Sequence, residues 1–493
     1  MKKFTLPYSF LKKCFGRALL WLGALTIISC SPKVQVVQEG QPVSADHSSN
    51  PPAEFERIAT MTDSLVGLFI ESGQVPGMVV AIAKNGQPVF SRAYGKADVE
   101  IDADASLETV FGIASVTKQF TAAAILRLVE EGRLSLSDPI TKYLPDYPVQ
   151  GHQVSIHHLL SHTSGIGDYR FRNEALPDWY RLDLSYEKMV ELWGHQPFDF
   201  KPGEGFGYSN MGYYLLGQII ERVTGIKWVE YAGPALLQPL GLQHTLFNEA
   251  RRVIPNRAEG YLHDGNKLIN LPFRSIHLFS AGGGLSSTTG DLLRWTHLLY
   301  QGKVVSPESL QQMTSPTVLT NGDTVGYGYG LYVSELGAHR KIYHGGTFGF
   351  GAFLSHYPEE GLSIGILSNS SKGRERAEQL EKVLAREIFN IRLLDLPLTS
   401  EEISRYQGIY SYLSEERSYD LHVFGENGQL KARIEGGDSF RLLYQGSHTF
   451  VPIVDEDDRL VFSPESGRAG GFMHHEGRWE VSPAKRKLPE NSK

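Results

Sequence analysis

Apolar positions between residues 55 and 69 fall on one helical stripe, carried by Phe55, Ile58, Leu65, Leu68 and Phe69. That pattern predicts an amphipathic helix. The stretch GMVVAIAKNGQPVFSRAYG follows, with an apolar run on each side of Asn85-Gly86. Asn-Gly between two such runs predicts an antiparallel hairpin. Next comes IASVTKQFTAAAILRLVEEG, from Ile113 to Gly132. It reads as a helix apolar over most of its surface, and therefore central, ended by a glycine. From there to about Asn390 helical and loop segments dominate, and strand patterns return in GYGYGLYV, KIYHGGTFGFGAFLSHYP and LSIGILSNSS. EQLEKVLAREIFNI reads as the last helix of this unit. Strands at both ends of one unit, with helices between, predict an α+β fold: an antiparallel sheet closed by distant segments and flanked by helices.

A short break at LDLPLTS leads into a different pattern near Ser400. Short alternating strands follow, with turns at Asn427-Gly428, Gly436-Gly437 and Asp455 to Asp458, and no helical period. A small all-β module is expected here, a meander that closes or half-closes into a barrel.

The first residues carry Lys2, Lys3, Lys12 and Lys13 ahead of an apolar run from Ala18 to Ser29. That run is short for a bilayer span and fits a secretory signal. It ends at IISC, and this resembles the lipobox of bacterial lipoproteins, which implies a lipidated Cys30. The expected organisation is a signal over 1–30, a flexible tether over 31–53, a main domain over 54–395 and the β module over 401–486. The protein is thus expected to be exported and held at a bacterial membrane by lipid, on the periplasmic or cell-surface side.

Composition narrows the chemistry. Hydrophobic residues make up 41% of the 493, ample for a core, and charged residues 21%. The formal charge of -7 argues against a nucleic-acid partner. The two cysteines are Cys14 and Cys30, both in the signal, so the mature chain has no thiol nucleophile, disulfide or thiolate metal site. The histidines, His157-His158 and His474-His475 among them, show no metal spacing, and no cofactor is expected.

Ser115 and Lys118 stand three apart near the head of the central helix and are therefore neighbours. Burial and the positive helix end both favour a neutral amine, which accepts a proton from a serine. The Ser115 N–H at the helix start is free to bind an oxyanion. Ser-x-x-Lys recurs at Ser9, Ser185 and Ser482, where a capping serine and a snorkelling lysine explain it. The Ser115 pair alone heads a long apolar helix. Tyr208-Ser209-Asn210 precedes another apolar helix, and His344-Gly345-Gly346 opens an apolar strand, where glycines allow close approach of a substrate backbone. SHTSG at Ser161 to Gly165 lacks the first glycine of a nucleophile elbow, so Ser164 reads as a turn residue.

The order Ser-x-x-Lys, Tyr-x-Asn, His-Gly-Gly resembles the serine β-lactamase/penicillin-recognising superfamily. It is most similar to the class C β-lactamase-related branch, with its D-aminopeptidases, D-Ala-D-Ala carboxypeptidase-like proteins and esterases. FGIASVTKQFTAAAILRLVEEGRLSLSDPITKYLP, IHHLLSHTSGIGDY, FKPGEGFGYSNMGYYLLG, AGGGLSSTTGDLLRW and YGYGLYV extend the likeness over about Glu54 to Asn390. The tail resembles the lipocalin-like domains of some members. The resemblance implies a β-lactamase/transpeptidase-like fold and an acyl-enzyme formed on an amide or ester, in a peptide or small-molecule substrate containing a D-amino acid. It implies Ser115 as nucleophile, Lys118 and Tyr208 sharing general-base work, and Asn210 orienting substrate. His344, Gly345 and Gly346 would border the substrate, and the N–H groups of Ser115 and Thr347 would form the oxyanion hole. A plain carboxylesterase, a weak β-lactamase and a non-catalytic binder of cell-wall peptides are the alternatives. One departure stands out: the β-lactamase pattern has Lys-Thr-Gly where this chain has His344-Gly345-Gly346. The fixed cation and hydroxyl that hold a carboxylate are missing, so substrates without a carboxylate beside the scissile bond are expected to be preferred.

Overall fold

The structure is a computed structural model. It describes residues 45–47, 52, 55–169, 179–249, 251–265, 267–273, 275–414, 417–434, 439–452, 458–465, 468–476 and 479–487. The signal region with Cys30, most of the tether, and the turns expected at Gly436-Gly437 and before Asp458 lie outside the described residues.

The predicted hairpin is Gly77–Lys84 paired with Gln87–Asp98. Asn85 and Gly86 take φ of 51° and 76°, the two positive angles that a two-residue link with the right twist requires. A side chain at Gly86 would also run into His297, since a Cβ there would lie 2.2 Å from its ring. The hairpin does not stand alone. Gly77–Lys84 pairs with Leu362–Ser368, which pairs with Gly351–Tyr357, then His339–Thr347, then Tyr332–Leu336, all antiparallel. The two ends of the domain thus form one sheet, as the sequence predicts. Ala45–His47, inside the stretch expected as tether, adds an edge strand beside Gln87–Asp98.

Gly351–Tyr357 and Leu362–Ser368 are buried at every position, because both sheet faces are covered. Helices Glu56–Glu71 and Gly373–Ile388 pack on one face. Helices Lys118–Glu130 and Thr289–Tyr300 belong to the larger core on the other. The first helix buries Ile58, Ala59, Thr62, Val66 and Phe69. Leu68, expected on the stripe, is 58% exposed. The buried positions follow spacings of four, four and three, and Leu68 is a further ~100° round the helix from Phe69.

The tail is a closed barrel of eight antiparallel strands from Gly408–Ser414 to Trp479–Arg486, whose first and last strands pair at Tyr410 and Arg486. Asn427-Gly428 makes the expected turn, with φ of 52° and 74°. A helix that the strand pattern does not predict, Ser400–Tyr406, leads into the barrel behind a Thr399/Glu402 capping box. It puts Ile403 and Tyr406 among Tyr410, Phe450 and Phe462 in the barrel's core.

Candidate active site

The Ser115 segment departs from a plain helix. Ala114–Thr117 is a 3₁₀ turn and the α-helix begins at Lys118. In a 3₁₀ turn residues three apart are eclipsed, so Ser115 and Lys118 lie over one another. Lys118 Nζ is 3.3 Å from Ser115 Oγ. Ala114, just before the serine, has φ of 44°, a left-handed angle that costs a non-glycine residue about 1–3 kcal/mol. Strain therefore sits in the turn that presents the hydroxyl.

Lys118 has no solvent exposure. Its Nζ is 2.7 Å from Asn210 Oδ1 and 2.8 Å from the Gly282 carbonyl oxygen, and stands 4.8 Å from the centre of the Tyr208 ring. Carbonyl oxygens only accept. Two amine hydrogens directed at them leave the nitrogen's lone pair for the Ser115 hydroxyl. Asn210 is placed by the helix Asn210–Thr224, whose cap Ser209 accepts from Gly212 N at 3.1 Å.

Two residues that the sequence pattern does not single out complete this arrangement. Asp168, buried, accepts from Asn210 Nδ2 at 2.7 Å and from Asn210 N at 3.2 Å. Those bonds hold the side-chain amide with its oxygen toward Lys118. His162, in the SHTSG stretch, has φ of 59° and accepts from Ser209 N at Nδ1, 3.1 Å. Its ring lies 4.3 Å from that of Tyr208. Ser164 is a turn residue as expected, accepting from Ile166 N at 3.1 Å. The stretch IGDY carries Asp168, but an isolated carboxylate in a loop has no periodicity or spacing to mark it.

The strand His339–Thr347 runs beside the Ser115 turn. A Cβ on Gly346 would lie 2.4 Å from Ile113 O and 2.9 Å from Ser115 N. Only glycine permits this approach, which brings the following residue, Thr347, alongside Ser115. Gly345 faces the other side of the sheet, where a Cβ would meet Arg374 Nε at 2.8 Å. His344 returns to the Ser115 side but is 1% exposed. Its Nδ1 donates to Gly345 O at 2.6 Å, and Nε2 accepts from Tyr327 Oη at 3.2 Å. Both ring nitrogens are taken by the protein, so the side chain expected to border the substrate instead holds Tyr327 in a cluster with Tyr208 and Tyr332. Burial, then the nearby Lys118, push its pKa down to about 3.

The other Ser-x-x-Lys pairs behave as local structure. Ser185 caps its helix while Lys188 pairs with Glu191 on the surface, and Ser482 and Lys485 lie in a barrel strand. His157 bonds Tyr329 Oη at 2.7 Å, and His158 completes a capping box with Ser155.

With this geometry in view, the likeness to known proteins is informative. The family model described as Beta-lactamase matches residues 62–387. Penicillin-binding protein 4* of Bacillus subtilis (strain 168) is 30% identical over 394 residues, covering 74% of this chain and 85% of that protein. The structure of the octameric penicillin-binding protein homologue from Pyrococcus abyssi is 26% identical with a TM-score of 0.58, covering 87% of this chain and 100% of that one. EstCE1, described as a hydrolase with promiscuous acyltransferase activity, is 25% identical with a TM-score of 0.59, covering 66% of this chain and 98% of that one.

Two outcomes follow. Asp168→Ala frees the Asn210 amide to turn its NH₂ toward Lys118, and is expected to lower kcat about 10–100-fold with KM little changed. Asp168→Asn keeps an acceptor and should recover most of the loss. Wild-type kcat in Asp168→Ala would remove Asp168 from the site's support. The second outcome concerns acid. Burial lowers His344 to about 3, and His158 and His356 to about 4 each. The unfolded chain, with histidines near ~6.5, binds more protons below that pH than the folded chain. Stability is therefore full above about pH 6.5 and falls as pH drops toward 3–4. Thermal midpoints between pH 8 and 4 should decline, and less steeply in His344→Asn.

Proposed function

This chain belongs to the Beta-lactamase family, a family of serine hydrolases, and from that premise we propose that it hydrolyses an amide or ester through an acyl-enzyme on Ser115. The observation that carries the reading is the buried Lys118 amine, 3.3 Å from Ser115 Oγ and 2.7–2.8 Å from two carbonyl oxygens. The neutral amine takes the hydroxyl proton as Oγ bonds to the substrate carbonyl carbon. Charge moves to the carbonyl oxygen, which faces the N–H groups of Ser115 and Thr347. As the tetrahedral species collapses, the bond to the leaving nitrogen or oxygen breaks, and that atom takes a proton from the Lys118–Tyr208 pair. Water repeats the sequence, releasing the acid and restoring Ser115.

The substrate we favour is a small peptide or amide containing a D-amino acid, without a carboxylate next to the scissile bond. His344 supports the second half of this: it is neutral and fully engaged where a carboxylate-binding cation would be needed. A simple ester is the second reading, in keeping with the hydrolase and acyltransferase activity described for EstCE1.

Fluorophosphonate labelling read by mass spectrometry tests the chemistry. Ser115 should carry the label, Ser115→Ala should carry none, and Lys118→Ala should label about 10²–10⁴-fold more slowly. An unchanged rate in Lys118→Ala would end the general-base assignment. At pH 8 a peptide amide should exceed its free-acid twin in kcat/KM, and a strong preference for the acid would overturn the carboxylate reading. The mature protein is further proposed to be lipidated at Cys30 and membrane-bound, since two acyl chains anchor stably. Cys30→Ala should then leave the protein uncleaved or soluble. Processed, soluble wild-type protein would overturn the anchor.

A further inference from the structure

A cavity of about 480 Å³ lies between the helix Asn210–Thr224, the segment from Asp183 to Glu187 and the turn at Trp228. Small-molecule sites span about 300–1,000 Å³, and this one falls inside that range. Its lining includes none of Ser115, Lys118, Tyr208 and Thr347, so it has no part in the steps above. Gly217, Gln218 and Glu221 belong to its wall. At a rise of about 1.5 Å per residue they stand roughly 10–16 Å along the helix axis from Asn210.

Two buried polar atoms on this wall lack partners. Trp228 is 3% exposed, and among the described residues its Nε1–H meets no acceptor. The Tyr186 hydroxyl is buried and, among the same residues, also unbonded. Both side chains line the cavity. Burial, then the charge of Asp146, pushes Tyr186 up to about 12, so the hydroxyl keeps its proton and can donate it. Buried donors left unmet destabilise a fold, and a ligand with the matching acceptor recovers that free energy on binding.

The chemistry of the wall selects the ligand. An indole N–H only donates, so the ligand must bring an acceptor, which an ammonium does not have. The carboxylates of Asp183, Glu187 and Glu221 line the same cavity, against the cations Arg222 and Lys227. Asp183 also accepts from Ser275 Oγ, and the Arg222 guanidinium lies 5.9 Å from the centre of the Tyr186 ring. With more negative than positive groups on the wall, an anionic acceptor meets net repulsion. The same carboxylate oxygens accept from hydroxyl groups. A neutral ligand with several hydroxyls meets both demands, its oxygens accepting from Trp228 and Tyr186 and its O–H groups donating to Glu221. Tyr186, Tyr214 and Trp228 supply amphipathic rings for its C–H faces. We propose that this cavity is a second binding site, separate from the Ser115 cleft, taking a neutral polyhydroxylated molecule of the sugar class.

The probes are glucose, N-acetylglucosamine and glucuronate, the last a sugar that carries a carboxylate. At about 20 mM at least one of the two neutral sugars should raise the thermal midpoint of the full chain, because a ligand held only by the folded state stabilises it. No shift with either would overturn the site. In calorimetric titration glucuronate should bind about tenfold more weakly than glucose, and equal binding would overturn the neutral-ligand assignment. Trp228→Phe keeps the ring and removes the N–H, and Tyr186→Phe removes only the hydroxyl. Each should weaken binding of the neutral sugar about tenfold, while the ligand-free midpoint stays at or above that of the wild type, since an unmet buried group has been removed. Unchanged sugar affinity in both variants, or lower ligand-free midpoints in both, would overturn the roles of these two atoms. Sugar binding should persist in Ser115→Ala, and its loss there would move the sugar to the Ser115 cleft and overturn the separate site.

Discussion

A lysine nitrogen removed from water needs polar partners, and the fold has to supply them. Lys118 has no exposure, and its Nζ is met by Ser115 Oγ, Asn210 Oδ1 and Gly282 O. Asn210 and Gly282 lie 92 and 164 residues away from it along the chain. An unmet buried amine would cost several kcal/mol, so the requirement ties the Ser115 turn, the Tyr208 loop and the Gly282 segment to one point. Asp168 extends the same chain of demands outward, since an asparagine that must show its oxygen to Lys118 needs an acceptor for its own NH₂. Each partner is fixed by the next, and the Ser115 hydroxyl inherits the rigidity.

Backbone proximity is the second constraint. Gly346 passes so close to Ile113 O and Ser115 N that a methyl group would collide with main-chain atoms, which cannot swing aside as a flexible side chain does. The strand could not otherwise bring Thr347 alongside Ser115. Ala114 contributes by accepting a left-handed angle inside a packed environment, where its neighbours hold it. The two features act together: a strained turn pushes toward a strand that has been thinned to receive it.

Two histidines at the site, His344 and His162, serve as hydrogen-bonding rings. His344 gives a proton to Gly345 O and takes one from Tyr327, and His162 accepts from Ser209 N beneath the Tyr208 ring. Burial makes the neutral form of His344 the stable one, and a cationic imidazole beside Lys118 would raise the cost of any further positive charge. The barrel at the other end of the chain obeys a different rule. Eight strands enclose a space that side chains fill, and Ile403 and Tyr406 from the entering helix share that core.

Local chemistry was legible in the chain. Asn85-Gly86 and Asn427-Gly428 demand tight turns, alternating residues mark the barrel strands, and an apolar helix headed by Ser115 and Lys118 can only be central. The ordered motifs also contain Ser115, Lys118, Tyr208 and Asn210, which lie together around the Lys118 nitrogen. What the chain could not disclose depends on packing between segments far apart in sequence. Leu68 is exposed because the sheet selects a different stripe of its helix, and the helix Ser400–Tyr406 is too short to show a period. Asp168 gains meaning only when Asn210 arrives beside it, and His344 turns inward only because Tyr327 waits there. Periodicity and turn propensity are properties of neighbours along the chain, whereas the partner of a buried polar atom is chosen by which distant segments the sheet and the central helix bring together.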